Sequence, residues 1–319
     1  MAGAYHQGSR AVQDRVGVRE LADHVGRSIT PGIRDVAAAF LAQQPFLVVG
    51  AADEAGRMWA SHLTGPPGFM RAQGAHRLVV DGGLPAGDPL AGALAADGTA
   101  VGTIALDPRT RRRMRLNGTL TPATVAGGFT VDAEQVFANC PKYLQKRQPL
   151  EVEPEGPGVL RRGEQLTDGQ ARTVRGADTF FIATTAEDGV DASHRGGNPG
   201  FVQVRSATEL AWADYPGNSM FLTLGNLTAD PRAGLLFPHW ESGGLLQLSG
   251  RARVEFGPDG ARTTVFTIAS VVESLPAGRL RWSTPEYSPA NPPANPPAGG
   301  PAAAPPGSAA APHLGSTTR

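Results

Sequence analysis

The sequence contains a single cysteine, Cys140, in 319 residues. That scarcity excludes an internal disulfide framework and any zinc or iron–sulfur centre built on several thiolates, and makes a reducing, cytoplasmic setting the simplest home. Net charge is missing too: 29 Lys and Arg balance 29 Asp and Glu. Nothing therefore favours wrapping a nucleic acid or coating an anionic membrane, and a small or locally recognised partner fits better. The opening stretch, MAGAYHQGSRAVQDRVGVRELADHVGRS, is broken by charges and has no apolar run of the length that a signal peptide or membrane span needs. It predicts a soluble chain that is not exported. Also lacking are a G-x-x-x-x-G-K-S/T phosphate loop, a G-x-G-x-x-G fingerprint, and any metal-ligand spacing among the seven histidines.

What is present is length enough for two domains, and many short apolar runs bounded by Gly, Pro, Asn and Asp. FLVVGAA at 46, RLVVDGG at 77 and VGTIALD at 101 are matched later by TFFIATTAEDG at 179, AGLLFPHW at 233 and GLLQLSGRARVEF at 244. Short strands at this spacing predict β-barrels or sandwiches, a mainly β fold with few helices. Helix is expected around Arg19 to Val25, in DPLAGALAADG at 88, and in AEQVFANCPKYLQKR at 133. The divisions expected are a helical arm over 1–38, a first barrel with its following helix over 39–150, a linker over 151–169, a second barrel over 170–288, and a disordered Pro/Ala-rich tail over 289–319.

One phrase is written twice. DASHRGGNPGF from Asp191 to Phe201 echoes ASHLTGPPGF from Ala60 to Phe69, and Ser193 follows Ser61 by 132 residues. The same offset relates Gly65 to Gly197, Pro67 to Pro199, Phe69 to Phe201, Gly102 to Gly234, Leu116 to Leu248 and Gly118 to Gly250. A register kept over that distance points to two copies of one domain, a pseudo-dimer within one chain. The copies differ in a consistent direction: Arg195, Asn198, Asn218, Thr223 and Asn226 are answered by Leu63, Pro66, Ala86, Ala91 and Leu94. FANCPKYLQKR, from Phe137 to Arg147, has no counterpart in the apolar TIASVVESL. A dimer with two interface sites builds each from both subunits. Here one site is expected to survive, with strands from the second copy and the 137–147 segment from the first.

DASHRGGNPGF, with PGNSMFLTLGNLTADPRAGLLF after it and FANCPKYLQKR before it, resembles the pyridoxamine 5′-phosphate oxidase-like flavoproteins over about residues 5 to 288. The resemblance implies a Greek-key split barrel that pairs with a second barrel and holds FMN between them. Many members have Asp-Val-Ser-Pro-Arg-Gly where this chain has Asp-Ala-Ser-His-Arg-Gly, and Gly-Asn as at Gly217 and Asn218. The Ser-Arg-Lys cradle of the true vitamin B6 oxidases is not found between Leu224 and Asp230, which puts that activity in doubt. In longer relatives a segment like EYSPANP, here Glu286 to Pro292, leads into a ferredoxin-reductase-like module, implying a reductase or ferredoxin-type redox partner.

The residue chemistry suits such a ligand. Arg195 offers a permanent cation and a planar donor fork for a phosphate, and Lys142 or Arg147 a second charge. Ser193, Asn218, Ser219, Thr223 and Asn226 are short polar groups for ribityl hydroxyls and the ring edge. Gly196, Gly197 and Gly200 permit close backbone approach or a sharp turn. Tyr143 and Trp240 are candidates to lie against the flavin, with Trp240 favoured as core, and His194 and Tyr143 are the nearby candidates for a proton donor. Cys140 is expected to be a small buried hydrophobe. Ser193 and His194, neighbours on a strand, point to opposite faces and do not make a hydrolase pair. The basic TRRRMRL at 110 aligns with uncharged SGGLLQL and reads as a solvated hairpin. The expected function is an FMN-dependent oxidoreductase acting on a small molecule, as a monomeric pseudo-dimer or a homodimer. The alternatives are the deazaflavin F420 in place of FMN, a non-catalytic flavin-binding, sensor or electron-transfer protein, and a degenerate barrel without cofactor.

Overall fold

The computed structural model describes residues 4–85, 87–121, 127–151, 159–258, 260–275 and 280–293. Two large antiparallel sheets carry the fold. The first holds β1 (Phe46–Ala52), β2 (Met58–Thr64), β3 (Met70–Gln73), β4 (Arg77–Val80), β5 (Ala100–Asp107), β6 (Arg112–Thr121) and β7 (Phe129–Ala138), in the order β2-β1-β5-β6-β7-β4-β3. Next along the chain come two short strands, β8 (Pro149–Glu151) and β9 (Val159–Gly163). The second sheet holds β10 (Thr179–Ala186), β11 (Gly189–Gly196), β12 (Val202–Ser206), β13 (Glu209–Ala213), β14 (Arg232–Pro238), β15 (Leu245–Phe256) and β16 (Arg262–Leu275). Its order, β11-β10-β14-β15-β16-β13-β12, repeats the first strand for strand, with β9 added beside β16. A final strand, β17 (Leu280–Trp282), pairs with β8. Both sheets break register at matched bulges, Asn117/Gly118 and Ser249/Gly250. The result is two tandem split barrels paired within one chain.

The continuous apolar runs of the inner strands follow from that pairing. In β1, Leu47, Val49 and Ala51 face the first barrel's own core, while Phe46 and Val48 face the second barrel. In β10, Phe180 and Ile182 face the second core, and Phe181 and Ala183 meet Phe46 and Val48 across the interface. Side chains alternate across a strand, so a strand with a core on each side must be apolar at every position. Each Phe buried here contributes roughly 1.5–3 kcal/mol. Gly102 and Gly234 let the barrels close: a Cβ would stand 2.6 Å from the Ala192 backbone at one and 2.4 Å from the Trp59 backbone at the other.

Helices are few: α1 (Gln7–Val16), α2 (Arg19–Gly26), α3 (Asp35–Ala42), α4 (Asp168–Gly176) and α5 (Leu222–Ala229). Thr167 and Gln170 form a capping box that starts α4. Two helices expected from sequence are not formed. Residues 133–138 belong to β7 and 139–148 are irregular, because Pro141 lacks the N–H a helix would need and restrains the residue before it. DPLAGALAADG yields only a 3₁₀ turn, Ala93–Ala95, between Pro89 and Gly98. Within the expected linker, β9 is ordered by pairing with β16, and 152–158 lie outside the described residues. At the start of the expected tail, Asn291 Nδ2 donates to Gln145 Oε1 and Asn198 Oδ1, while 294–319 lie outside the described residues.

Candidate functional site between the barrels

A cleft enclosing about 860 Å³ of non-protein space, part of it open to solvent, lies where the two barrels meet. The first barrel supplies Arg113 and Arg115 from β6 and the irregular segment Asn139 to Tyr143; the second supplies the end of β11, the loop 213–221 and the start of α5. Strand alternation sets the first wall: Arg113, Arg115 and Asn117 share one face of β6. Arg115 Nη1 donates to both oxygens of Asp191, at 3.1 and 3.0 Å, and its Nη2 to Ser193 Oγ at 2.5 Å. Asn117 Nδ2 also donates to Asp191, at 3.1 Å. The charge of Arg115 is thus answered.

Arg113 and Arg195 are different. Arg113 donates to His194 Nδ1 at 2.7 Å and to the Cys140 carbonyl at 2.6 Å. Arg195 donates to Ser193 Oγ at 2.7 Å and to the His194 carbonyl at 3.1 Å. All of these partners are neutral, and among the described residues neither guanidinium has a carboxylate within ion-pair distance. Burial, with repulsion from Arg115 and Arg195, pushes Arg113 down to about 9. Burial likewise lowers Arg195, with Arg115 adding repulsion and Asp214 opposing it. Asp214 is itself engaged by Arg262 at 2.9 Å. His194 is held well below its ordinary range by burial first and then by the three arginines around it, so the ring is neutral. Lys142 stands exposed at the rim.

The loops that shape the cleft are strained. Among the described residues, four non-glycine residues have positive φ, and three of them, Tyr143 (66°), Ser219 (61°) and Phe221 (55°), line this cleft. Each such conformation costs of order 1–2 kcal/mol, and strain of this kind gathers at functional sites. Tyr143 and Tyr215 stack obliquely with ring centroids 5.2 Å apart, and Tyr143 Oη donates to the Pro216 carbonyl at 2.9 Å.

The cleft brings together eight of the ten site residues expected from sequence: Lys142, Tyr143, His194, Arg195, Gly196, Asn218, Ser219 and Thr223. Ser193 lies behind the wall, accepting from Arg115 and Arg195 and so aiming both. Asn226 faces the other side of α5, where it bonds His6 Nε2 at 2.7 Å and Thr184 Oγ1 at 3.0 Å. Gly196 serves chain packing, since a Cβ there would stand 2.0 Å from the Tyr143 carbonyl. Arg147 is paired with Asp178 at 2.6 Å, outside the cleft wall. Trp240 packs on Phe46 and Trp282 in the interface core. Cys140 is half-buried at the cleft rather than inside a helix. TRRRMRL is no solvated hairpin: Arg113 and Arg115 line the cleft, and Arg111 donates to the Leu144 carbonyl at 2.9 Å. Its uncharged counterpart was itself the signal, the same asymmetry that singles out Arg195 against Leu63.

No family model matches the sequence, and no curated protein aligns with it. Among solved structures, a FAD binding protein from Mycobacterium smegmatis overlaps 36% of this chain and 98% of its own at 11% identity and a TM-score of 0.26. A FAD-binding protein from Mesorhizobium loti overlaps 36% of this chain and 98% of its own at 13% identity and 0.25. HupZ from Group A Streptococcus overlaps 36% and 98% at 10% identity and 0.28. Likeness this partial leaves function to be argued from the cleft itself. Among the described residues, no group of three or more His, Cys, Asp or Glu side chains is set to hold a metal ion, and no helix is long and apolar enough to cross a membrane.

Proposed function

We propose that the chain binds one FMN in the cleft between its barrels and works as an oxidoreductase on a small molecule, as a tandem member of the pyridoxamine 5′-phosphate oxidase-like flavoproteins. The observation that carries this reading is the pair of half-buried guanidiniums, Arg113 and Arg195, that face one cleft with no carboxylate within ion-pair distance of either among the described residues. Partly desolvated charge of one sign is costly until an anion completes it, and a phosphate offers the planar, charge-assisted bonds that guanidinium favours.

Asn139 Oδ1 is buried without a hydrogen-bond partner in the same wall, an acceptor free for a ligand donor. In this reading Asn218, Ser219 and Thr223, which line the cleft, would meet the ribityl hydroxyls, and the Tyr143–Tyr215 pair would offer an aromatic surface for the ring. A bound flavin would supply hydride transfer at its N5, the protein's part being position and electrostatics. Excess positive charge in the cleft favours the anionic reduced state of any flavin held there. Tyr143 has its hydroxyl proton engaged by Pro216, and burial raises its pKa, so it serves better as a wall than as an acid. The open side of the cleft leaves room for a small substrate beside the ring.

The test is the visible spectrum of the purified chain, with mass spectrometry of what denaturation releases, followed by turnover with a reduced nicotinamide and an artificial acceptor. FMN and turnover support the proposal. A released deazaflavin would replace the cofactor named here, flavin without turnover would leave a binding protein, and failure to take up either cofactor would refute the reading.

A further inference from the structure

The turn that walls one side of the cleft is held from outside it. Ser219 and Phe221 have φ of 61° and 55°, and Met220 lies between them. Met220 is fixed at three points. Its N–H donates to Asn218 Oδ1 at 3.2 Å, its carbonyl accepts from Gln13 Nε2 at 2.9 Å, and its side chain is buried with Tyr5, Ala22, Phe137 and Leu222. The last two holds draw on the N-terminal arm, Gln13 reaching a residue 207 positions further along the chain.

The arm is built to deliver that side chain. Gln13 has no exposed surface, and its Oε1 accepts from Arg10 Nη1 at 3.1 Å, which leaves Nε2 turned toward Met220. Helix α1 can lie this close to α5 because two glycines meet: a Cβ on Gly8 would stand 2.4 Å from the Gly225 carbonyl oxygen, and one on Gly225 would stand 2.4 Å from Ser9 Oγ. The other end of the arm is tied to the first barrel. Thr30 and Val136 exchange backbone hydrogen bonds at 3.1 and 2.7 Å, and the Ile33 N–H donates to the Ala75 carbonyl at 2.7 Å. The first barrel thus reaches a turn of the second through α1.

The same device recurs at the interface position related by the repeat. There, 132 residues before Ser219, the Gly87 carbonyl accepts from Arg162 Nη2 at 2.7 Å. Arg162 belongs to β9, which precedes the second barrel as α1 precedes the first. In both places a side chain from the segment leading into one barrel holds a turn carbonyl of the other.

We infer that Gln13 is a positioning residue for the cleft: its side-chain amide fixes the 219–221 turn in the shape that presents Asn218, Ser219 and Thr223 to a ligand. Two non-glycine residues with positive φ persist only where their surroundings over-determine them. Gln13 supplies part of that determination, since without its N–H the buried Met220 carbonyl loses its partner and the strained turn loses its advantage over relaxed ones. Gln13 itself lies outside the cleft wall. The consequence for a ligand rests on the cleft being the binding site proposed above; the hold on the turn does not.

Hydrogen exchange on the full chain without cofactor tests the hold. Gln13→Met keeps the side chain's length and deletes its donor. Amides across 218–225 should exchange about tenfold faster in the variant, while those of β10 and β14 keep their rates. An unchanged rate over 218–225 overturns the inference. So does an acceleration spread equally along α1, which would make Gln13 a brace of its own helix. Should Gln13→Met not fold, Gly8→Ala lifts α1 off α5 without altering a cleft residue, and it too should loosen 218–225; an unchanged rate there is equally fatal. In an FMN titration, Gln13→Met should raise Kd about tenfold. An equal Kd in spite of a loosened turn overturns the positioning role. No uptake of FMN by the unaltered chain is instead the failure of the cofactor reading, and the exchange comparison then decides the hold on the turn by itself.

Discussion

The two barrels place the same strand positions at two places along their interface, and only one of them leaves donors facing a cleft. At the open one stand Arg113, Arg115 and Arg195; 132 residues away in each case, the other has Leu245, Gln247 and Leu63. There Gln247 Nε2 donates to the Ala60 carbonyl at 3.1 Å, Ser61 Oγ at 2.8 Å and Asp88 Oδ2 at 3.2 Å, and Ser61 donates to Asp88 Oδ1 at 2.7 Å. Val272 packs with Leu63 and Leu90 in the first core, and Arg162 Nη2 closes on the Gly87 carbonyl at 2.7 Å. One location has turned its donors inward and filled its volume with apolar side chains. The other has kept two cations, Arg113 and Arg195, that no carboxylate among the described residues pairs. The same backbone frame thus serves as core in one place and as a candidate anion-binding cleft in the other, and the choice is made by a handful of side chains.

The sharpest way to break the contrast is to write the open site's arginine into the closed one. Leu63→Arg puts a charge among buried apolar neighbours and should lower stability by roughly 3–5 kcal/mol without creating a second binding site; denaturant unfolding and flavin titration check the two halves of that statement. Second in size is a difference in acid response. Burial pushes His62, the counterpart of His194, down to about 4, and its Nδ1 has no hydrogen-bond partner. A base whose folded pKa lies below its unfolded value of about 6.5 stabilises the fold fully above that pH. The chain should therefore lose up to ~3 kcal/mol from this group as pH falls from 6.5 to 4, and His62→Phe should flatten that part of a stability–pH profile; an unchanged profile would contradict the assignment.

Third, Arg195→Leu copies the closed site into the open one. Losing a charge-assisted hydrogen bond of about 1.5–3 kcal/mol should weaken FMN about 10- to 100-fold in a fluorescence titration, with the fold retained. The smallest effect belongs to Lys142→Ala at the exposed rim, about two- to threefold, and it should vanish in high salt because exposed charges are screened.

How much of this the sequence disclosed depends on whether a feature is local. The strands were readable because each inner one is an apolar run between turn residues, and the 132-residue offset was readable because glycines such as Gly102 and Gly234 sit where two backbones touch. Arg195 stood out against Leu63. Arg113 and Arg115 are no less visible as residues, and their uncharged partners Leu245 and Gln247 mark the same asymmetry as Arg195 against Leu63, while strand alternation sets 113, 115 and 117 on one face. The helix α5 escaped notice for a physical reason: LTLGNLTA is buried at every position from Leu222 to Leu227 and so has no polar stripe to give it helical periodicity. The expected helix through 133–147 had the right composition but Pro141 in its middle. The position of Asn226, turned toward His6 and away from the cleft, depends on an N-terminal arm docking 220 residues away in the chain, which no local pattern reports.

The most direct measurement is the stoichiometry of FMN bound to the unaltered chain, by native mass spectrometry after incubation with excess cofactor. One FMN per chain, with lower occupancy in Arg195→Leu at the same subsaturating cofactor concentration, is the result this account predicts. Two per chain would mean that the closed location also binds, and none would mean that the paired cations of the cleft await something other than a flavin phosphate.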